Sequence, residues 1–257
     1  MADRTVHGVV IRYANFSESS RMLTLLTLEE GLVSAAAKGA RRMKSALRTA
    51  SEAFVFGEYT LHSGRGSSPI ITGATLIDSF YDLREDLDRL SCATEMGELV
   101  LALAPEGDPA PELFSLLVRS LGSLCHDGEE PFKVGMHFQA RAMALAGYAP
   151  QVKRCCLCEG ELGARPGFSP SDGGAVCTAC AAEAALTPVS AGAVKTLANI
   201  IEFDVARLHV LSIGPRLRED ARSLWQDYMA YHLNRHFRSP EFSKRLARFQ
   251  IAVGDKK

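Results

Sequence analysis

From Thr5 to Phe80, apolar and polar positions alternate in short runs rich in β-branched and aromatic residues, and turn formers interrupt them every ten or so positions. The runs predict strands at Thr5–Tyr13, Arg21–Thr27, Leu32–Ala37, Ala53–His62 and Ile70–Ile77, separated by Asn15–Ser20, Glu29–Gly31, Lys38–Arg48 and Ser63–Pro69. Five short strands hide their edges by closing on themselves, so this stretch predicts a small barrel. An OB-fold is the commonest five-stranded barrel of this size, and the strand count also permits an SH3-like one.

Past Phe80 the apolar period lengthens to about 3.6, with Leu83, Leu87, Leu90, Thr94, Leu99 and Leu103 spaced for a helix. Asp82 is placed to cap it, Pro109 and Pro111 suit the first turn of a second helix over Pro111–Cys125, and Pro131 opens a third that stops near Gly147. A Cys-, Gly- and Pro-rich insert occupies 155–180. Helices then resume at Val189–Phe203 and Arg216–Phe237, with a short one after Ser239-Pro240. The predicted fold class is α+β multidomain: an OB-fold domain over residues 1–80, then an all-α domain over 81–257 with a cysteine-rich loop inserted at 151–185.

Composition narrows the class. With 47% hydrophobic and 23% charged residues, the chain is neither disordered nor low-complexity. No apolar run approaches the roughly 18 residues of a membrane span, and Asp3, Arg4 and His7 stand where a secretory signal places its apolar core. The expected location is the cytoplasm. A net charge of −1 hides an uneven distribution: 9 Lys/Arg against 7 Asp/Glu over residues 1–80, 5 against 12 over 81–150, and 15 against 11 over 151–257. Polyanion contact is therefore expected from the two ends, while the acidic middle is a solvated face or meets a basic protein.

Seven cysteines, an odd number with two close pairs, suit reduced thiols and a metal better than disulfides. Cys155, Cys158, Cys177 and Cys180 form a C-x2-C-x18-C-x2-C pattern. Each pair sits on a tight turn that aims two thiolates at one ion, and four thiolates complete a closed tetrahedron, which predicts one structural zinc. Cys156 is a spare. A redox dithiol and a chance grouping are the weaker readings. The spacer residues Gly160, Gly163, Pro166, Gly167, Pro170, Gly173 and Gly174 favour turns over a packed hairpin, so metal is expected to supply local folding energy. Cys92 and Cys125 lie on helical faces as buried small hydrophobes.

Lys38, Arg41, Arg42, Lys44 and Arg48 place five cations and no acid in eleven residues between strands three and four. Such a self-repelling cluster costs stability unless an anion neutralises it, and phosphates suit forked arginines and lysine point charges. These five are the candidate DNA contacts; a solvated loop is the plain alternative. Arg4, Arg12 and Arg21 are placed to extend the patch. Tyr13, Phe16, Phe54 and Phe56 offer base-stacking rings where exposed, although alternation puts most of them in the core. A second basic stretch, with Arg235, Arg238, Lys244, Arg245 and Arg248 against Glu241 and interleaved aromatics, suits nucleic acid, an acidic apolar peptide or a solvated helix end. No Walker loop, nucleophile elbow, HExxH or deaminase signature is present, so no catalytic residue is expected.

Several segments together resemble the bacterial RecO recombination mediators: Gly8-Val9-Val10, Ser17 through Thr27, Glu30-Gly31, Ala37 through Ser45, Gly147-Tyr148-Ala149-Pro150 leading into Cys155, and Tyr231-His232-Leu233 leading into Arg238-Ser239. The resemblance covers essentially the whole chain. It implies an N-terminal OB-fold, a helical C-terminal domain with a zinc site in many members, and no bond-cleaving chemistry. It also implies binding of single- and double-stranded DNA, annealing of complementary strands, and work with RecR to load RecA onto DNA coated by single-stranded-DNA-binding protein, whose acidic C-terminal tail is a docking partner. A nucleoid-associated cytoplasmic place follows. A zinc-ribbon regulator or RNA-binding protein is the leading rival, and a redox enzyme using Cys155 and Cys158 a weaker one.

Overall fold

The structure is a computed structural model that describes residues 2–64 and 68–236. Two compact units can be distinguished among them: residues 2–147 with 203–210, and residues 148–202 with 211–236. The short helix expected after Ser239-Pro240, and Arg238, Lys244, Arg245 and Arg248, lie outside the described residues.

The first unit opens with five strands, β1 (Ala2–Asn15), β2 (Arg21–Thr27), β3 (Gly31–Ala37), β4 (Phe56–Ser63) and β5 (Ile70–Asp78), and a one-turn helix α1 (Leu47–Ala50) lies between β3 and β4. They close into a barrel of order β1-β2-β3-β5-β4, the OB-type connectivity. The long β1 pairs antiparallel with β4 along its first half and with β2 along its second, and its register shifts between Val10 and Arg12. Closure between β3 and β5 is parallel and narrow, at Ala36↔Ile70. Val6, Val10, Leu23, Leu25, Val33, Tyr59, Leu61 and Ile71 fill the interior, joined by Ala50 of α1. The Tyr59 hydroxyl is satisfied by donating to the Ala50 carbonyl at 2.9 Å.

Three helices, α2 (Leu87–Leu103), α3 (Pro111–Cys125) and α4 (Pro131–Leu145), complete this unit with a 3-10 turn at Val205–Val210. Helix α2 packs on β1 at Gly97, where an added Cβ would stand 3.3 Å from Ile11 and 3.4 Å from Phe54. Val9, Val10 and Ile11 are consequently buried on both faces of β1, which is why that run reads as continuously apolar. The α2–α3 connection docks on the β2–β3 turn through Gly31, whose φ is +62° and whose added Cβ would lie 2.1 Å from the Asp108 carbonyl oxygen.

Two expectations change here. Strand four starts at Phe56 rather than Ala53, because Phe54 takes a left-handed φ of 65° to bury its ring while its N–H bonds the Val10 carbonyl at 2.6 Å. The first long helix is capped by Asp86, whose carboxylate accepts from the N–H groups of Asp88 and Arg89; Asp82 instead lies in a separate 3-10 turn, Tyr81–Arg84.

The second unit holds a two-stranded hairpin, β6 (Gly167–Ser169) and β7 (Gly174–Val176), with helices α5 (Thr178–Glu183), α6 (Ala191–Glu202) and α7 (Pro215–His236). The glycine-rich spacer thus does contain a packed hairpin. Gly174, at φ +152°, lets the Gln151 backbone come so close that a Cβ would meet its carbonyl oxygen at 2.1 Å, and Phe168 packs edge-on to Tyr228 of α7 with centroids 6.0 Å apart. Trp225 stacks on Tyr228 in turn. No helix among the described residues is long and apolar enough to cross a membrane.

Candidate functional site

Beyond β3 the chain leaves the barrel in consecutive tight turns, with Ala40 N–H donating to the Ala37 carbonyl, Arg42 to Gly39 and Ser45 to Arg42, before α1 begins. Ala40 is fully buried and anchors this loop by its methyl group, while Lys38, Arg41, Arg42, Lys44 and Arg48 are all exposed. None of the five takes part in an ion pair among the described residues. Their charge is therefore presented to solvent rather than spent within the fold.

The loop is held by its neighbour. Arg41 N–H donates to the Ser19 carbonyl at 3.0 Å, Arg41 Nη1 to the Ser17 carbonyl at 3.0 Å, and Gly39 N–H to Ser20 Oγ at 3.3 Å. The β1–β2 and β3–α1 loops accordingly form one surface, a docking to which the Ser20 side chain contributes and that charge counting passes over. Two expected additions are committed elsewhere. Arg4 makes a two-pronged pair with Glu30, and Arg21 pairs with Glu52 at 2.8 Å while its guanidinium lies 4.1 Å from the Tyr13 ring centre. Arg12 stays exposed beside Thr24. Of the four aromatic candidates, Phe54 is buried and Phe56 half-buried against Phe114, whereas Tyr13 and Phe16 are exposed.

In the second unit, Cys155 and Cys158 lie on a turn closed by Glu159 N–H to the Cys155 carbonyl and Cys155 N–H to the Gly160 carbonyl, both at 2.9 Å. Cys177 caps α5, its Sγ accepting from Cys180 N–H, and Cys180 follows one turn on. The hairpin carries this second pair back to the first, so the four Sγ atoms lie within 4.8 Å of one another and could hold a metal ion. Cys156 is outside the group, its N–H paired to the Ala175 carbonyl. Burial resists charge on the Cys155 thiol, but backbone N–H groups of Cys177, Cys158 and Leu157 aim at its sulfur and draw it down to about 6. The Cys180 thiol is pushed up to about 12, chiefly by Cys177 and then Cys158: four sulfurs this close resist becoming thiolates together unless a cation joins them. Cys92 and Cys125 are buried, as small hydrophobes on helices.

Comparison with known proteins covers both units. Family models described as Recombination protein O N terminal and Recombination protein O C terminal match residues 1–80 and 84–241. The DNA repair protein RecO of Pelotomaculum thermopropionicum is 34% identical over 248 residues, which is 96% of either chain. That of Myxococcus xanthus is 34% identical over 244 residues, covering 91% of this chain and 94% of its own. The Acetivibrio thermocellus protein of the same name is 30% identical over 244 residues, covering 95% and 97%.

Proposed function

The chain belongs to the RecO family of DNA repair proteins, and from that premise we propose that it is a non-catalytic DNA-binding mediator that anneals complementary strands and, with RecR, helps load RecA onto single strands coated by single-stranded-DNA-binding protein. The observation that carries this reading is a barrel loop with five exposed cations and no carboxylate partner among the described residues. Lys38, Arg41, Arg42, Lys44 and Arg48 would lie along sugar-phosphate chains, releasing condensed counterions and screening the repulsion between two strands so that bases can pair. The barrel supplies the site and the helices of both units supply protein-docking faces, with the acidic tail of the coating protein as one ligand. A cytoplasmic, nucleoid-associated place follows from that work.

For the metal, zinc is the ion the donor set suits. A tetrahedron with Zn–S bonds of about 2.3 Å has edges of about 3.8 Å, and Cys158 Sγ stands 3.8 Å from Cys177 Sγ. Cys155, Cys158, Cys177 and Cys180 would hold it in a closed shell that leaves no open position for catalysis.

The test is annealing of complementary oligonucleotides, one of them coated by single-stranded-DNA-binding protein. The wild type is expected to accelerate pairing and a variant with Arg41, Arg42 and Lys44 changed to Ala to lose most of that acceleration. Equal rates with and without the protein would overturn the reading, and acceleration confined to RNA would favour the RNA-binding rival.

A further inference from the structure

We propose that Phe16 is a base-stacking platform that lets the cationic loop distinguish single-stranded from double-stranded DNA; this rests on the DNA-binding reading above and adds to it a site for bases. Phe16 opens the β1–β2 loop, directly after Asn15, and is 68% exposed, the most solvent-accessible of the Phe, Tyr and Trp side chains among the described residues. The loop that carries it is not slack. Phe16 N–H donates to the Ser20 carbonyl at 3.0 Å, Ser17 N–H to the same oxygen at 3.4 Å, and Ser20 N–H to Ser17 Oγ at 3.2 Å, so the backbone that presents the ring to solvent is pinned. A bulky apolar ring held in water on a pinned turn gains nothing for the fold.

What it gains is proximity to the cations. Arg41 Nη1 donates to the carbonyl of Ser17, the residue next to Phe16, so the loop that carries the ring is tied to the cationic loop. Exposed Met43, 87% accessible, follows Arg42 on the same loop. Tyr13, the other exposed ring on this edge, already carries the Arg21 guanidinium at 4.1 Å, which leaves Phe16 as the open face. A strand whose phosphates meet Arg42, Lys44 and Lys38 would bring unpaired bases within reach of that ring. Stacking on an aromatic face tolerates any base, and paired bases inside a duplex do not present their faces. Phosphate contacts alone serve both forms of DNA; the ring supplies the preference.

The experiment measures binding of the full chain to three probes of equal length: a thymidine oligonucleotide, an oligonucleotide of abasic sites with the same phosphates, and a duplex. Phe16→Ala is expected to weaken binding to the thymidine strand about 5- to 140-fold, the range for removal of one base stack, while binding to the abasic strand and the duplex stays at wild-type strength and Phe16→Trp retains the wild-type preference. Equal losses on all three probes, or no loss on the thymidine strand, would overturn the proposal. The variant with Arg41, Arg42 and Lys44 changed to Ala separates this failure from that of the wider reading: it should weaken all three probes, and if it weakens none, DNA binding by the loop itself is wrong.

Discussion

At the scale of single residues, the clearest departure from ordinary chemistry is His137. It is 5% exposed on α4, its Nδ1 has no hydrogen-bond partner among the described residues, and burial foremost, then the Arg141 guanidinium, hold its imidazole down at about 4. A histidine that stays neutral when folded and titrates near 6.5 when unfolded binds its proton more tightly in the unfolded chain. Its contribution to stability is therefore complete above about pH 6.5 and shrinks as pH falls toward 4, by about 3 kcal/mol over the whole interval. Urea unfolding at pH 7 and pH 4.5 should show a smaller loss on acidification in His137→Leu than in the wild type; parallel losses would contradict the assignment. Residue identity made some of the candidate site readable and hid the rest. Five cations in eleven positions and the paired cysteines are local patterns. The fates of Arg4 and Arg21 were not readable, because their partners Glu30 and Glu52 stand 26 and 31 positions away and meet them only once the barrel has closed.

At the scale of elements, strands and helices with a clean period were legible almost to the residue: Arg21–Thr27 and Pro111–Cys125 have the expected bounds. What shifted did so where tertiary packing outweighed propensity. Phe54 gives up extended backbone to bury its ring, and the hairpin of β6 and β7 forms in a glycine-rich spacer because Gly174 admits the Gln151 backbone and Phe168 finds Tyr228. That hairpin carries Cys177 to its partners, so an ion held by the four sulfurs would stabilise the local fold, and the local fold the ion. The purified chain is expected to carry one zinc ion. Chelation should expose the four thiols to titration and open residues 155–180 to protease while the barrel stays resistant. Cys177→Ser that keeps stoichiometric zinc and wild-type stability would contradict the four-thiolate shell.

Across the whole molecule, charge is partitioned rather than spread. The barrel segment and the C-terminal segment are basic and the segment between them is acidic, so a net charge of −1 is compatible with a strongly directional site. The family resemblance was legible from end to end because its landmarks are short and local, and the matches to residues 1–80 and 84–241 bear it out. How the β1–β2 loop buttresses the cationic loop was not legible, since three hydrogen bonds between segments 19 to 24 positions apart leave no periodic trace. The DNA-binding reading stands on contact between the cationic loop and phosphates. Its most direct test is the salt dependence of single-strand binding, compared between the wild type and the variant with Arg41, Arg42 and Lys44 changed to Ala. The slope of log affinity against log salt is expected to flatten by about 2, roughly 0.7 for each phosphate that the variant no longer neutralises; an unchanged slope would mean that Arg41, Arg42 and Lys44 are only a solvated surface.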